Sequence, residues 1–169
     1  SNQERISKGI DWLLSQQLTN GSFTSDVALD WQSTDEVITA LKASDSWDQL
    51  SKQSIYSWWI LESIPYMEYQ ARSMDLAGNL GEASLVSVDD LITYQNIDGG
   101  FSAYDGWESD PYSTAQALSK LTLVNDAYRS NIVYALEYLR QAQQENGNFL
   151  THQNESSLIL TAQVLITLK

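Results

Sequence analysis

The chain contains no cysteine, which excludes disulfides, thiolate nucleophiles and cysteine-ligated zinc. It has a single histidine, His152, too little for a histidine-built metal centre, and no Gly-rich phosphate loop. No apolar run approaches the roughly 18 residues of a membrane span, and no charged-then-apolar leader opens the sequence. Basic residues are scarce: 9 Lys and Arg stand against 22 Asp and Glu, a formal net charge of −13. That field repels nucleic acid and anionic membranes, so neither is expected as a partner.

What is present is a globular composition. Apolar residues make up 43% of 169, with six Trp and nine Tyr among them. A chain of this length buries roughly 70% of its unfolded surface. One domain over residues 1–169 is expected, with Ser1-Asn2 read as a remnant of tag removal. The acidic, Asn/Gln/Ser-rich, Lys-poor character suits a bacterial extracellular or cell-surface protein by association.

Three segments share Gln, three residues, Gly, one residue, Phe: Gln17-Gly21-Phe23, Gln95-Gly99-Phe101 and Gln143-Gly147-Phe149. Three matches in so short a chain are a repeat signature. Apolar residues at helical spacing precede the first and third copies: Ile6, Ile10, Leu13 and Leu14, then Ile132, Ala135, Leu136 and Leu139. After each Phe comes a polar loop and a second helical stretch, over 35–43, 112–124 and 155–168. Ser33 with Glu36, and Ser46 with Gln49, read as capping boxes. Asp110-Pro111 reads as a cap followed by proline at the first helical position, and Asn154 as the cap of the last helix.

Between the first two motif copies lies a degenerate unit, with Trp59-Ile60 in the place of Trp12-Leu13. Pro65 is expected to end its first helix, and a helix over 68–76 to complete it. Asn79, Gly81 and Ser84 mark the following loop. The count is four helical hairpins and eight helices. Trp58 and Trp59 are adjacent and are not expected to share one core, so one of them should meet another helix or a partner.

The string Lys8-Gly9-x-x-Trp12-Leu13-x3-Gln17-x3-Gly21-x-Phe23 resembles the repeat motif of squalene and oxidosqualene cyclases, in which Trp usually takes the last place. Tyr138-Leu139-x3-Gln143-x3-Gly147-x-Phe149 resembles it nearly as well. Asp98-Gly99-Gly100-Phe101, with Asp110-Pro111-Tyr112-Ser113-Thr114-Ala115, is similar to repeats in protein prenyltransferase β-subunits. The resemblance covers almost the whole chain and is weakest over 65–82. It implies an all-α fold, an α/α toroid of concentric helical hairpins. Four hairpins, against about six in a full toroid of this family, imply a partial or open barrel, or a fragment of a larger protein. Its end hairpins would carry apolar side chains in need of cover.

The catalytic residues of that superfamily are not matched. Cyclases carry Asp-x-Asp-Asp, whereas Ser87-Val88-Asp89-Asp90 and Ser33-Thr34-Asp35-Glu36 both lack the first Asp. Asp89 and Asp90 read as helix N-terminal acids, and His152 as a solvated loop residue. Gly78-Asn79-Leu80-Gly81-Glu82-Ala83 lacks the reactive pair of the related thioester domains. No catalytic residue, metal or cofactor is therefore expected. The expected function is a non-catalytic binding or scaffold domain, with a toroid enzyme lacking part of its barrel, or a cobalamin-carrier-like small-ligand domain, as alternatives. Trp31, Asp35, Trp107, Asp110 and Tyr112 are the candidate ligand residues, because the pairs Trp31 with Asp35 and Trp107 with Asp110 follow the first and second motif Phe toward the next helix. Expected partners are a small apolar molecule, a protein, or a second copy meeting the open edge.

Overall fold

The structure, a computed structural model, describes residues 2–26, 29–61, 64, 66–82, 86–123 and 126–169. Among them every regular element is helical, and the extended pairings are isolated bridges such as Gln95 with Phe101. The helices are α1 (Asn2–Ser15), α2 (Asp30–Ala43), α3 (Lys52–Trp59), α4 (Met67–Leu80), α5 (Val88–Ile92), α6 (Pro111–Leu121), α7 (Arg129–Ala142) and α8 (Leu158–Thr167). In chain order they alternate as leading and trailing helices, the order the repeat pattern predicts. No helix among the described residues is long and apolar enough to cross a membrane.

The chain forms two compact units. One holds residues 1–63 and 75–83, the other 64–74 and 84–169, so α4 contributes to both. In the first unit Trp31, Ile38 and Leu41 of α2 are buried, as are Ile55, Trp58 and Trp59 of α3. The Trp31 and Trp58 rings meet at 5.1 Å, and Tyr56 lies edge-on to Trp59 at 6.1 Å. Both adjacent tryptophans are thus covered within the chain, Trp58 by a residue of another helix. Lys42 reaches the side-chain oxygen of Asn79, tying α2 to the end of α4.

In the second unit α6 packs against both α7 and α8. One cluster joins Met67 and Ala71 of α4 to Leu91, Phe101, Leu118, Leu121, Leu139, Phe149 and Val164. Burying such side chains contributes about 1.5–3 kcal/mol each for the larger ones.

Helix starts are set by capping chemistry. Asp110 accepts the Ser113 N–H at 2.8 Å with Pro111 at the first helical position, as expected. Asp89 and Asp90 occupy the first turn of α5, behind a Ser87 cap. Three expected caps are corrected. α2 begins at Asp30, a turn earlier than expected, so Ser33 lies inside it and its N–H bonds the Leu29 carbonyl at 2.8 Å. Ser46 precedes a short 3-10 turn over Trp47–Gln49 without capping it, its hydroxyl donating instead to the Ser44 carbonyl at 3.1 Å. Ser157, not Asn154, caps α8 by accepting the Leu160 N–H at 3.1 Å. Asn154 has φ of 59° in the preceding turn. Asn79 is helical, and α4 ends at Leu80 before Gly81, whose φ of 79° suits a left-handed stop. Pro65, Ser84, Val124 and Ser1, on which other expectations fell, lie outside the described residues.

Candidate functional site

Each motif loop is built the same way. The side-chain nitrogen of Gln17, Gln95 or Gln143 donates to the carbonyl of Gly21, Gly99 or Gly147, at 3.2, 2.9 and 3.0 Å. The residue before the glycine is Asn20, Asp98 or Asn146. Its side-chain oxygen accepts the N–H two residues on, at 3.1, 3.0 and 3.2 Å. The three glycines have φ of 105°, 87° and 86°, a region costly for any side chain. The Phe N–H then donates to a threonine hydroxyl on the trailing helix. These pairs are Phe23 with Thr34, Phe101 with Thr114 and Phe149 with Thr161, at 3.3, 2.9 and 3.1 Å. Asparagine or aspartate before the glycine, and a threonine in the next helix, recur in the sequence. Both signals are legible in the sequence.

In the second unit, the loops after Phe101 and Phe149 border a trough of two adjoining hollows, about 830 and 400 Å³, that share Asp110, Pro111, Leu150, Thr151 and His152. Tyr104, Trp107 and Tyr138 line the larger hollow, Tyr112 and Ile159 the smaller. Trp107 is 62% exposed and stacks on Tyr104 with ring centroids 4.5 Å apart. Tyr104 meets Tyr66 at 4.6 Å and Tyr66 meets Tyr69 at 4.8 Å, both near edge-to-face, which extends the pair into a row of four rings.

The charged groups of the trough are carboxylates: among its lining residues stand Glu108 and Asp110, with no Lys or Arg. Burial, with the negative fields of Asp110 and Asp98, pushes the Tyr138 hydroxyl well above its ordinary pKa. It therefore stays a neutral hydrogen-bond donor at any physiological pH. Tyr112 is likewise raised, chiefly by burial, and its hydroxyl donates to Glu68 at 3.2 Å. Arg72 pairs with that same carboxylate at 2.8 Å. Tyr112 is thus a fixed wall of the smaller hollow.

The model of the prenyltransferase α/α-toroid domain matches this chain twice, over residues 1–136 and 59–165. The chain belongs to that family. The two matches overlap, as they do when a repeat unit aligns in more than one register. A search of the curated proteins gives no match.

Within this toroid-family chain the five candidate ligand residues fall in two places. Trp107, Asp110 and Tyr112 come together along the trough of the second unit. Trp31 and Asp35 belong to the first unit and lie within α2, Trp31 where a loop was expected. Trp31 is buried against Trp58, and Asp35 is half-buried. His152 is exposed, as expected of a loop residue, yet it forms part of the trough wall. His152, Tyr138 and Thr151 were not read as site residues, because only the folded chain brings their loops beside Asp110.

Four acids of the toroid-family chain have local partners. Both Asp110 oxygens are engaged by Ser113, one by its N–H at 2.8 Å and the other by its hydroxyl at 2.6 Å. Asp98 accepts the Gly100 N–H at 3.0 Å and the Ser109 hydroxyl at 2.7 Å. Asp89 accepts the Tyr128 hydroxyl at 3.0 Å, and Glu36 accepts the Gln32 amide at 2.8 Å.

Proposed function

We propose that this chain is a non-catalytic binding domain built on squalene-cyclase-like repeats, carried by an extracellular bacterial protein, and that it takes a small ligand in the trough of the second unit. The observation that carries this reading is the meeting of an exposed Trp107, stacked on Tyr104, with the carboxylates of Glu108 and Asp110 in one concavity of about 830 Å³. Ligand sites are concave, largely aromatic or apolar, and carry a few placed polar groups. Aromatic faces beside carboxylates favour a ligand with a flat or apolar body and a cationic or hydrogen-donating end.

The engagement of Asp110 in capping supports a non-catalytic reading. Both of its oxygens are taken up by Ser113, which gives that carboxylate a structural role. The acidic composition and absence of Cys support the extracellular placement by association.

Calorimetry with a cobalamin panel and with a simple quaternary ammonium, each on the wild-type chain and on Trp107→Ala, tests the proposal. Saturable heat with one member of either class, lost in Trp107→Ala, is the expected result. Flat heats with all of them would remove this reading of the trough.

A further inference from the structure

We propose that copies of this chain associate head to tail, the α1 edge of one copy covering the Gly147 loop and α8 of the next. The first two motif loops offer their glycines as docking points for the leading helix of the following hairpin. A Cβ on Gly21 would run into the backbone carbonyl of Ser54 on α3. A Cβ on Gly99 would lie 2.6 Å from the carbonyl oxygen of Tyr134 on α7. Gln95 strengthens that second dock, donating to the Asn131 carbonyl at 2.9 Å while its own oxygen accepts from the Asn131 amide at 2.5 Å. These two docks put Ser54 at the place of Tyr134, so Trp59 falls on Leu139 and Trp58 on Tyr138. The equivalence expected from sequence shifts by one residue.

The third loop has the same conformation and the same glutamine bond, yet a Cβ on Gly147 would find only the Gln143 side chain, at 4.0 Å. Among the described residues no helix backbone meets it. The trailing helices tell the same story. Aligned on Thr34, Thr114 and Thr161, the line Trp31, Ile38, Leu41 of α2 corresponds to Pro111, Leu118, Leu121 of α6, and all six are buried. The same line in α8 is Leu158, Leu165 and Leu168, exposed by 91, 53 and 45%. What these places lack is a hairpin edge led by a helix like α3 or α7.

The chain carries one such edge uncovered. No residue of α1 is buried, and Trp12 is 62% exposed. Aligned on Gln17 and Gln143, its line Gly9, Leu13 corresponds to Ala135, Leu139 of α7, both buried. In a second copy Lys8 takes the place of Tyr134, so its carbonyl would face Gly147, and Arg5 takes the place of Asn131. The association therefore continues a packing mode already present twice in the chain. Such a heterologous contact makes rings or open chains.

Two edge variants and sedimentation velocity decide it. Ile6→Glu/Trp12→Glu alters only the α1 edge, and Leu165→Glu/Leu168→Glu only the α8 edge. All four positions are exposed, and unchanged circular dichroism verifies folding. The wild type should grow in mass with concentration, each variant alone should be monomeric, and an equimolar mixture should give a dimer that grows no further. A wild type that stays monomeric at high micromolar concentration overturns the proposal. So does an oligomer that survives either variant, or a mixture of folded variants that stays monomeric.

Discussion

The hydroxyl of Thr114 stands between two segments of its hairpin: it accepts the N–H of Phe101 at 2.9 Å and donates to the Asp110 carbonyl at 2.7 Å. Both ends are hidden from water, since Phe101 and Thr114 are fully buried. Thr114→Val keeps the shape and deletes the acceptor, leaving a buried N–H unpaired at a cost of about 1–3 kcal/mol. Thr161→Val, at the less enclosed equivalent, should cost less. Urea unfolding of the two variants checks the order, and equal losses would contradict it.

Gly99 and Gly147 share a backbone conformation and differ in their surroundings. Gly147→Ala should show only the left-handed penalty of about 1–2 kcal/mol. Gly99→Ala adds a Cβ pressed on the Tyr134 carbonyl, and overpacking brings about 1–3 kcal/mol more. The difference in denaturation midpoint between the two variants measures that docking directly.

Asp30 is buried at the start of α2, its carboxylate accepting the Trp31 N–H at 2.7 Å. Burial pushes its pKa above the ordinary 3.8, more than the hydrogen bond lowers it. The folded state therefore holds this proton more tightly than the unfolded chain. Its contribution to stability is greatest below the unfolded pKa and declines as pH rises through the folded pKa. Asp30→Asn keeps an acceptor without the charge. It should melt above the wild type at neutral pH, with the gap closing in acid; a gap that widens in acid would refute the assignment.

Trp107 is largely solvated, so Trp107→Ala should change stability by no more than about 0.5 kcal/mol. Its effect should appear in ligand calorimetry instead. A large loss in melting temperature would mean that the ring row is a structural prop rather than a binding surface.

The hairpins were legible because their determinants are local. Gln143 and Gly147 lie four residues apart and bond one another, and Asp110 caps the helix that Pro111 opens. The start of α2 was misplaced because Ser33 and Glu36 mimic a cap, while helix formation from Asp30 buries Trp31 against Trp58, a contact 27 positions away in sequence. Asp110 and Tyr112 were legible as site candidates from their place after the motif. His152 and Tyr138 were not, because their relation to Asp110 is made by the packing of α6 on α7 and α8.

The sequence by itself determined that this protein repeats a helix, a glycine turn and a helix, since short-range hydrogen bonds and φ preferences act within a few residues of each motif. The tertiary structure decided which faces those helices hide. Leu118 and Leu165 occupy the same place in their repeats, yet one is buried and the other open to solvent. Burial depends on the neighbour a helix meets, and that neighbour is written far from it in sequence.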